Sequence, residues 1–120
     1  MIVCVLEDLI FSIKISTAAK HLGVEMYFER ARDNVLPTVR EKQPSLVIFD
    51  LNSSRLAPMA AIGAMKSDPA LRAIRTLGFV SHVDSDTIEA ARAAGVDEVL
   101  ARSAFSNRLG EILTDASRAR

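Results

Sequence analysis

The sequence predicts a single doubly wound α/β domain, a five-stranded parallel sheet with helices on both faces. Three observations lead there. Short apolar runs rich in β-branched residues recur along the chain, each bounded by polar residues. Longer stretches with apolar residues at helical spacing separate them. Several apolar runs end abruptly in a carboxylate, hydroxyl or guanidinium side chain. A strand that is apolar throughout is buried on both faces, which is the pattern of a parallel sheet covered by crossover helices.

The elements follow in order. Ile2–Leu6 is the first buried strand and Glu7-Asp8 closes it. Phe11, Ile15, Ala18 and Leu22 fall on one helical stripe, stopped by Gly23. Glu25–Glu29 is mixed in character and reads as an edge strand. Asn34 is placed to cap a short helix with Pro37 in its first turn and Val35, Leu36 and Val39 facing inward; Pro44 ends it. Leu46–Phe49 is a second buried strand, ending at Asp50. Met59, Ile62 and Met65 mark a third helix, closed by Asp68-Pro69. Leu77–Val80 is a strand with Gly78 as its weak point, and it runs into Ser81-His82. Asp86 and Glu89 resemble a capping box for a helix over Ile88–Ala94 that stops at Gly95. Val99–Ala101 is the last strand, followed by Arg102-Ser103, and Leu109, Ile112, Leu113 and Ala116 form the last helical stripe. Five βα units with right-handed crossovers result.

Composition narrows the function. The 120 residues suit one domain over 1–120, which buries roughly two-thirds of its unfolded surface. Lys and Arg number 15, as do Asp and Glu, so the formal net charge is zero. A neutral chain sets up no long-range field for a polyanion, which argues against direct nucleic-acid binding. No apolar stretch is long enough for a membrane span, and MIVCVLED reads as a strand rather than a signal peptide. The cytoplasm is the expected compartment. Cys4, the one cysteine, lies inside an apolar run and is expected to be an inert buried residue. No glycine-rich phosphate loop and no Gly-x-Ser-x-Gly elbow is present. Ser81 and His82 are neighbours on a strand end and point apart, so a small hydrolase or ligand-binding domain is the weakest reading. His21 reads as a helix-surface residue and Arg118 and Arg120 as a solvated end.

In doubly wound sheets, function sits at the carboxyl ends of the strands, near the point where strand order reverses. Here those ends carry Glu7, Asp8, Asp50, Ser81 and Arg102. Clustered carboxylates repel one another and call for a cation, and hard oxygen ligands suit Mg2+. A metal among acids can hold a phosphoryl group against Asp50, a carboxylate able to form an aspartyl-phosphate. Arg102 would neutralise the phosphoryl oxygens and Ser81 would donate to one. The plainer roles are a loop or cap for Asp50, the N-cap of the first helix for Asp8, a turn residue for Asn52, and an ion pair with a site carboxylate for Arg102.

The runs Ile2-Val-Cys-Val-Leu-Glu7-Asp8 and Leu46-Val-Ile-Phe-Asp50, the hydroxyl at Ser81, and Ala94-Gly95-Val-Asp-Glu-Val-Leu-Ala-Arg102 resemble the receiver domain of two-component response regulators. The resemblance covers essentially the whole chain. It implies a flavodoxin-like (βα)5 fold with strand order 2-1-3-4-5. Glu7 and Asp8 match the acidic pair that binds Mg2+, Asp50 the phosphoacceptor, Asn52 the residue whose backbone carbonyl completes the metal site, Ser81 the switch hydroxyl, and Arg102 the usual lysine. The implied phosphoryl donor is a histidine kinase or phosphotransfer protein. The implied output passes through the last helices to a protein partner or a homodimer. No enzyme is implied beyond self-phosphotransfer and self-dephosphorylation. No effector is read in these residues, so the output is expected from a partner, a dimer or a domain absent from this chain.

The sequence also departs from that pattern. Arg102-Ser103 replaces Lys-Pro, and Ser53, Ser54 and Pro58 stand where Met-Pro and a later Gly are usual. His82 replaces the small residue that admits the donor and is expected to block the site, while Val99 replaces the coupling aromatic. The acids are kept and the residues that read them out are changed. Two expectations follow: a working receiver, or a pseudo-receiver locked by Arg102 and His82 that acts as a phosphorylation-independent interaction module.

Overall fold

The computed structural model describes residues 1–81 and 84–118, so the site-blocking expectation for His82 and the end at Arg120 lie outside the described residues. Strands β1 (Ile2–Val5), β2 (Met26–Glu29), β3 (Leu46–Asp50), β4 (Arg75–Val80) and β5 (Glu98–Ala101) form one parallel sheet in the order β2-β1-β3-β4-β5. This is the expected doubly wound order, and β2 is the expected edge. Helices α1 (Leu9–Leu22), α2 (Val35–Lys42), α3 (Pro58–Ser67), α4 (Ser85–Ala94), α5 (Arg102–Asn107) and α6 (Leu109–Arg118) cover its faces.

Alternation along the strands builds two cores. Ile2, Cys4, Ile48 and Phe79 pack with α1, α5 and α6 through Phe11, Ile15, Phe105 and Leu113. Val3, Val5, Val47 and Phe49 pack on the other face with Val39, Ile62, Met65 and Ala91 of α2, α3 and α4. The central strand β1 is buried along its whole length. In register, Val5 faces Phe49 and Asp50 faces Phe79, so the strand ends are level and their polar residues share one edge.

Local chemistry corrects several expectations. The buried stripe of α1 is Phe11, Ser12, Ile15 and Ala19, whereas Leu22 is 42% exposed. Gly23 reverses the chain in the left-handed region just there, and Val24 takes the core position instead. Asn34 makes no side-chain cap; it ends a 3-10 turn, Arg32–Asn34, that leads directly into α2. The cap of α4 is Asp84, not Asp86: its carboxylate accepts from the Asp86 and Thr87 amides at 2.9 and 3.4 Å and from the Thr87 hydroxyl at 2.8 Å. The last helical region is broken at Arg108, whose guanidinium is drawn to Glu98 and Glu111 at 3.2 and 3.1 Å. Among the described residues no helix is long and apolar enough to cross a membrane.

Candidate functional site

Leu6 is the last buried residue of the first run, and the chain then emerges as Glu7-Asp8. Asp8 takes an extended conformation and caps α1, its Oδ1 accepting from the Phe11 amide at 3.0 Å. Its Oδ2 accepts from Arg102 Nη2 at 3.2 Å. The Phe11 amide first, and Arg102 after it, hold the Asp8 carboxyl below the usual carboxylate range. One side chain therefore caps α1 and pairs with Arg102.

Arg102 opens α5, and its guanidinium lies 3.9 Å over the Phe11 ring centroid. Phe11 meets Phe79 edge-on at 5.2 Å, and Phe79 stacks on Phe105 at 5.0 Å. An aromatic floor thus aims the guanidinium at Asp8. The expected alternative, Arg102 bridging Asp50, is not the arrangement found: the ion pair goes to Asp8.

Glu7 is held twice, its Oε1 accepting from the Ser53 hydroxyl at 2.8 Å and its Oε2 lying 3.3 Å from Arg55 Nη1. Ser53 and Arg55 were not among the expected site residues. Their contacts to Glu7 span more than forty positions, and the one signal in sequence is a polar, basic loop following Asp50.

Asp50 sits half-buried at the end of β3, with Oδ1 accepting from the Asn52 amide at 3.0 Å. Burial pushes its carboxyl above the usual range, and the negative charges of Asp8 and Glu7 push the same way; the Asn52 amide and Arg102 oppose them. Among the described residues Asp50 makes no ion pair, while each of its two acidic neighbours makes one.

A raised folded-state pKa means that the folded state holds the Asp50 proton more tightly than the unfolded chain does. The charged carboxylate therefore weakens the fold at neutral pH, and protonation relieves the penalty as pH falls through the folded pKa. Asp50→Asn is expected to raise the urea midpoint at pH 7 and to lose that advantage in the carboxylate range. An equal midpoint difference at pH 7 and pH 3 would contradict this account.

Asn52 contributes twice. Its backbone carbonyl accepts from the Ser54 amide at 3.1 Å, and its Oδ1 accepts from the Ser81 amide at 2.8 Å and the Ser81 hydroxyl at 3.2 Å. Ser81 thus faces Asn52 across the edge. Cys4 is fully buried, as expected, and burial pushes its thiol up.

Glu7, Asp8 and Asp50 with the Asn52 carbonyl are the hard oxygen donors that a small divalent cation takes, and the surplus negative charge felt by Asp50 is what such a cation would relieve. In the present arrangement two guanidiniums hold oxygens of Glu7 and Asp8, and among the described residues no three carboxylates are gathered at metal-binding spacing.

No protein-family model and no curated protein matches the sequence. Solved structures do match. The phosphorylated cyanobacterial phytochrome response regulator RcpA superposes with a TM-score of 0.76 at 21% identity, over 95% of this chain and 89% of that one. The chemotaxis response regulator CheY4 of Vibrio cholerae gives 0.81 at 13% identity, over 96% of each chain. The Mn2+-bound form of the response regulator Rcp1 gives 0.77 at 14% identity, over 98% of this chain and 94% of that one. The fold of this chain is that of the response-regulator receiver domains.

Proposed function

From this receiver fold, we propose that the chain is a cytoplasmic signalling receiver whose acceptor is Asp50. One observation carries the reading: of Glu7, Asp8 and Asp50, Asp50 alone among the described residues lacks an ion pair, and it is half-buried and electrostatically loaded by the other two. Similarity in fold to phosphorylated RcpA supports the same reading.

The donor on this reading is a phosphohistidine of a kinase or phosphotransfer protein. Asn52 fixes Oδ1 of Asp50, which leaves Oδ2 to attack phosphorus. The O–P bond forms as the P–N bond breaks, and the departing imidazole nitrogen recovers a proton. A divalent cation such as Mg2+, held by Glu7, Asp8, Asp50 and the Asn52 carbonyl, would supply positive charge at the phosphoryl oxygens. Arg102 is near enough for its charge to reach Asp50 and adds to that field. Leu9, Ile10 and Ile13, exposed by 64%, 82% and 66%, rise directly beside Asp8 and offer the incoming protein apolar contact. Output through the last helices to a partner or a homodimer completes the proposal. The chain turns over no separate substrate and catalyses at most its own phosphorylation and dephosphorylation.

Incubation with acetyl phosphate and Mg2+ should add one phosphoryl group by intact mass, and Asp50→Asn should add none. Absence of an adduct, together with no spectral change on adding beryllofluoride, would reject the acceptor reading. It would favour the pseudo-receiver, which has its own supporting observation in the guanidiniums already seated on Glu7 and Asp8.

A further inference from the structure

We propose that a second site, beside the acidic edge, binds a small organic phosphate with an apolar body. A cleft of about 430 Å3 lies at the carboxyl ends of β1 and β2, bordered by Glu7, Arg30, Arg32 and Arg55. An apolar groove of about 430 Å3 adjoins it between α2 and α3, lined by Leu36, Pro37, Ala60 and Ala64. The two share Arg32, Asp33 and Leu56. Each volume falls in the range of small-molecule sites.

The cleft supplies the charge. Three arginines from two segments of the chain border it, against the carboxylates of Glu7 and Asp33, and the planar guanidinium fork matches phosphate oxygens two at a time. Arg30 makes no ion pair among the described residues and lies 5.5 Å over the Phe28 ring. Arg32 and Arg55 do have carboxylate partners, but their side chains are 64% and 85% exposed. Exposed pairs of this kind are weak, so a dianion can take either guanidinium.

The segment that presents Arg30 and Arg32 is anchored. Glu29 is buried, 5% exposed, and its carboxylate accepts from the Ala31 amide at 3.1 Å and from the Thr38 hydroxyl at 2.6 Å. A buried acid held by two donors ties the end of β2 to α2, which the acceptor chemistry does not require. The groove supplies the rest of the complementarity: alanines on α3 leave a slot beside Leu36 and Pro37, where a flat or aliphatic body would lose water. A charged head in the cleft and an apolar body in the groove is therefore the occupant that suits both halves. The proposal does not rest on phosphorylation of Asp50.

The probe is 1-naphthyl phosphate, titrated into the full chain without divalent metal and followed by calorimetry and amide NMR shifts. Saturable binding is expected, with shifts at 30–33 and along α3. The Arg30→Ala/Arg32→Ala pair, and separately Arg32→Ala/Arg55→Ala, should weaken it about tenfold or more. Ala60→Leu should weaken naphthyl phosphate and leave inorganic phosphate unaffected, and Asp50→Asn should change neither. No saturable binding, binding indifferent to both arginine pairs, or shifts confined to the end of β3 would each overturn the proposal. Loss of the acetyl phosphate adduct with naphthyl phosphate binding intact would sink only the acceptor reading.

Discussion

Gly78→Val is expected to remove about 3 kcal/mol of stability, a large share of the roughly 5–15 kcal/mol that holds a domain of this kind together. Gly78 lies in β4 between Phe49 of β3 and Val99 of β5. A Cβ there would stand 2.6 Å from both Cγ and Cδ1 of Leu51. Leu51 is 4% exposed and its amide donates to the Phe79 carbonyl at 3.0 Å, so neither side chain nor backbone has anywhere to go. The sheet must part or Leu51 must leave the core. Urea denaturation reads the loss directly, and an unchanged midpoint would refute the packing argument. Gly78→Ala should cost less, and Leu51→Ala in that background should recover part of the cost, because the two changes share one volume. Leu51 follows Asp50 in sequence, so the glycine is also what seats the candidate acceptor at the sheet edge.

Arg102→Ala is expected to raise the affinity for a divalent cation. The guanidinium and the Asp8 carboxylate are 3.2 Å apart, with 36% and 39% of their side chains exposed. At such exposure the pair is worth about 1 kcal/mol or less, which corresponds to at most about fivefold in affinity. Binding of Mn2+, measured by electron paramagnetic resonance or calorimetry, should tighten by that factor. Arg102→Lys should fall between, since it keeps the charge and loses the fork and the stack on Phe11. Unchanged or weaker Mn2+ binding in Arg102→Ala would show that the guanidinium does not compete for Asp8. The pH dependence separates the two roles of Asp8. Its depressed pKa contributes stability that is present above the unfolded carboxylate pKa and lost as pH falls through the folded one. The Phe11 amide is the largest single cause, so part of that acid sensitivity should survive in Arg102→Ala.

The strands were legible because a run such as Leu46–Phe49 is apolar without interruption and then stops at a charge, and only a doubly covered sheet makes sense of that. Glu7, Asp8, Asp50, Asn52, Ser81 and Arg102 were legible as a group for the same reason: a parallel sheet brings its strand ends to one edge. Their pairings were not. Arg102 chooses Asp8 because Phe11 lies beneath it, and Glu7 is taken by Arg55 across a loop of unusual sequence. Such choices depend on distances of a few ångströms between segments far apart in the chain. Helix starts failed on a smaller scale. Asp84 and Asp86 are both good caps by type, and the backbone direction at Asp84, with Thr87 donating from amide and hydroxyl, decided between them. The break at Arg108 left no mark in the apolar spacing of Leu109, Ile112 and Leu113, which are all buried as expected.

A hydroxyl has a single proton to donate, and at Ser81 it is directed to the Asn52 amide oxygen. The neighbouring Ser81 amide is directed to the same oxygen, more closely, at 2.8 Å. Turning the hydroxyl toward any other acceptor therefore gives up one neutral hydrogen bond, about 1 kcal/mol, and leaves the two loops fastened through the amide. Rotation about one side-chain bond takes picoseconds to nanoseconds at an exposed residue. If Ser81 reports on Asp50 as proposed, its state would be a matter of rotamer population, with the Ser81 amide keeping its hold on Asn52.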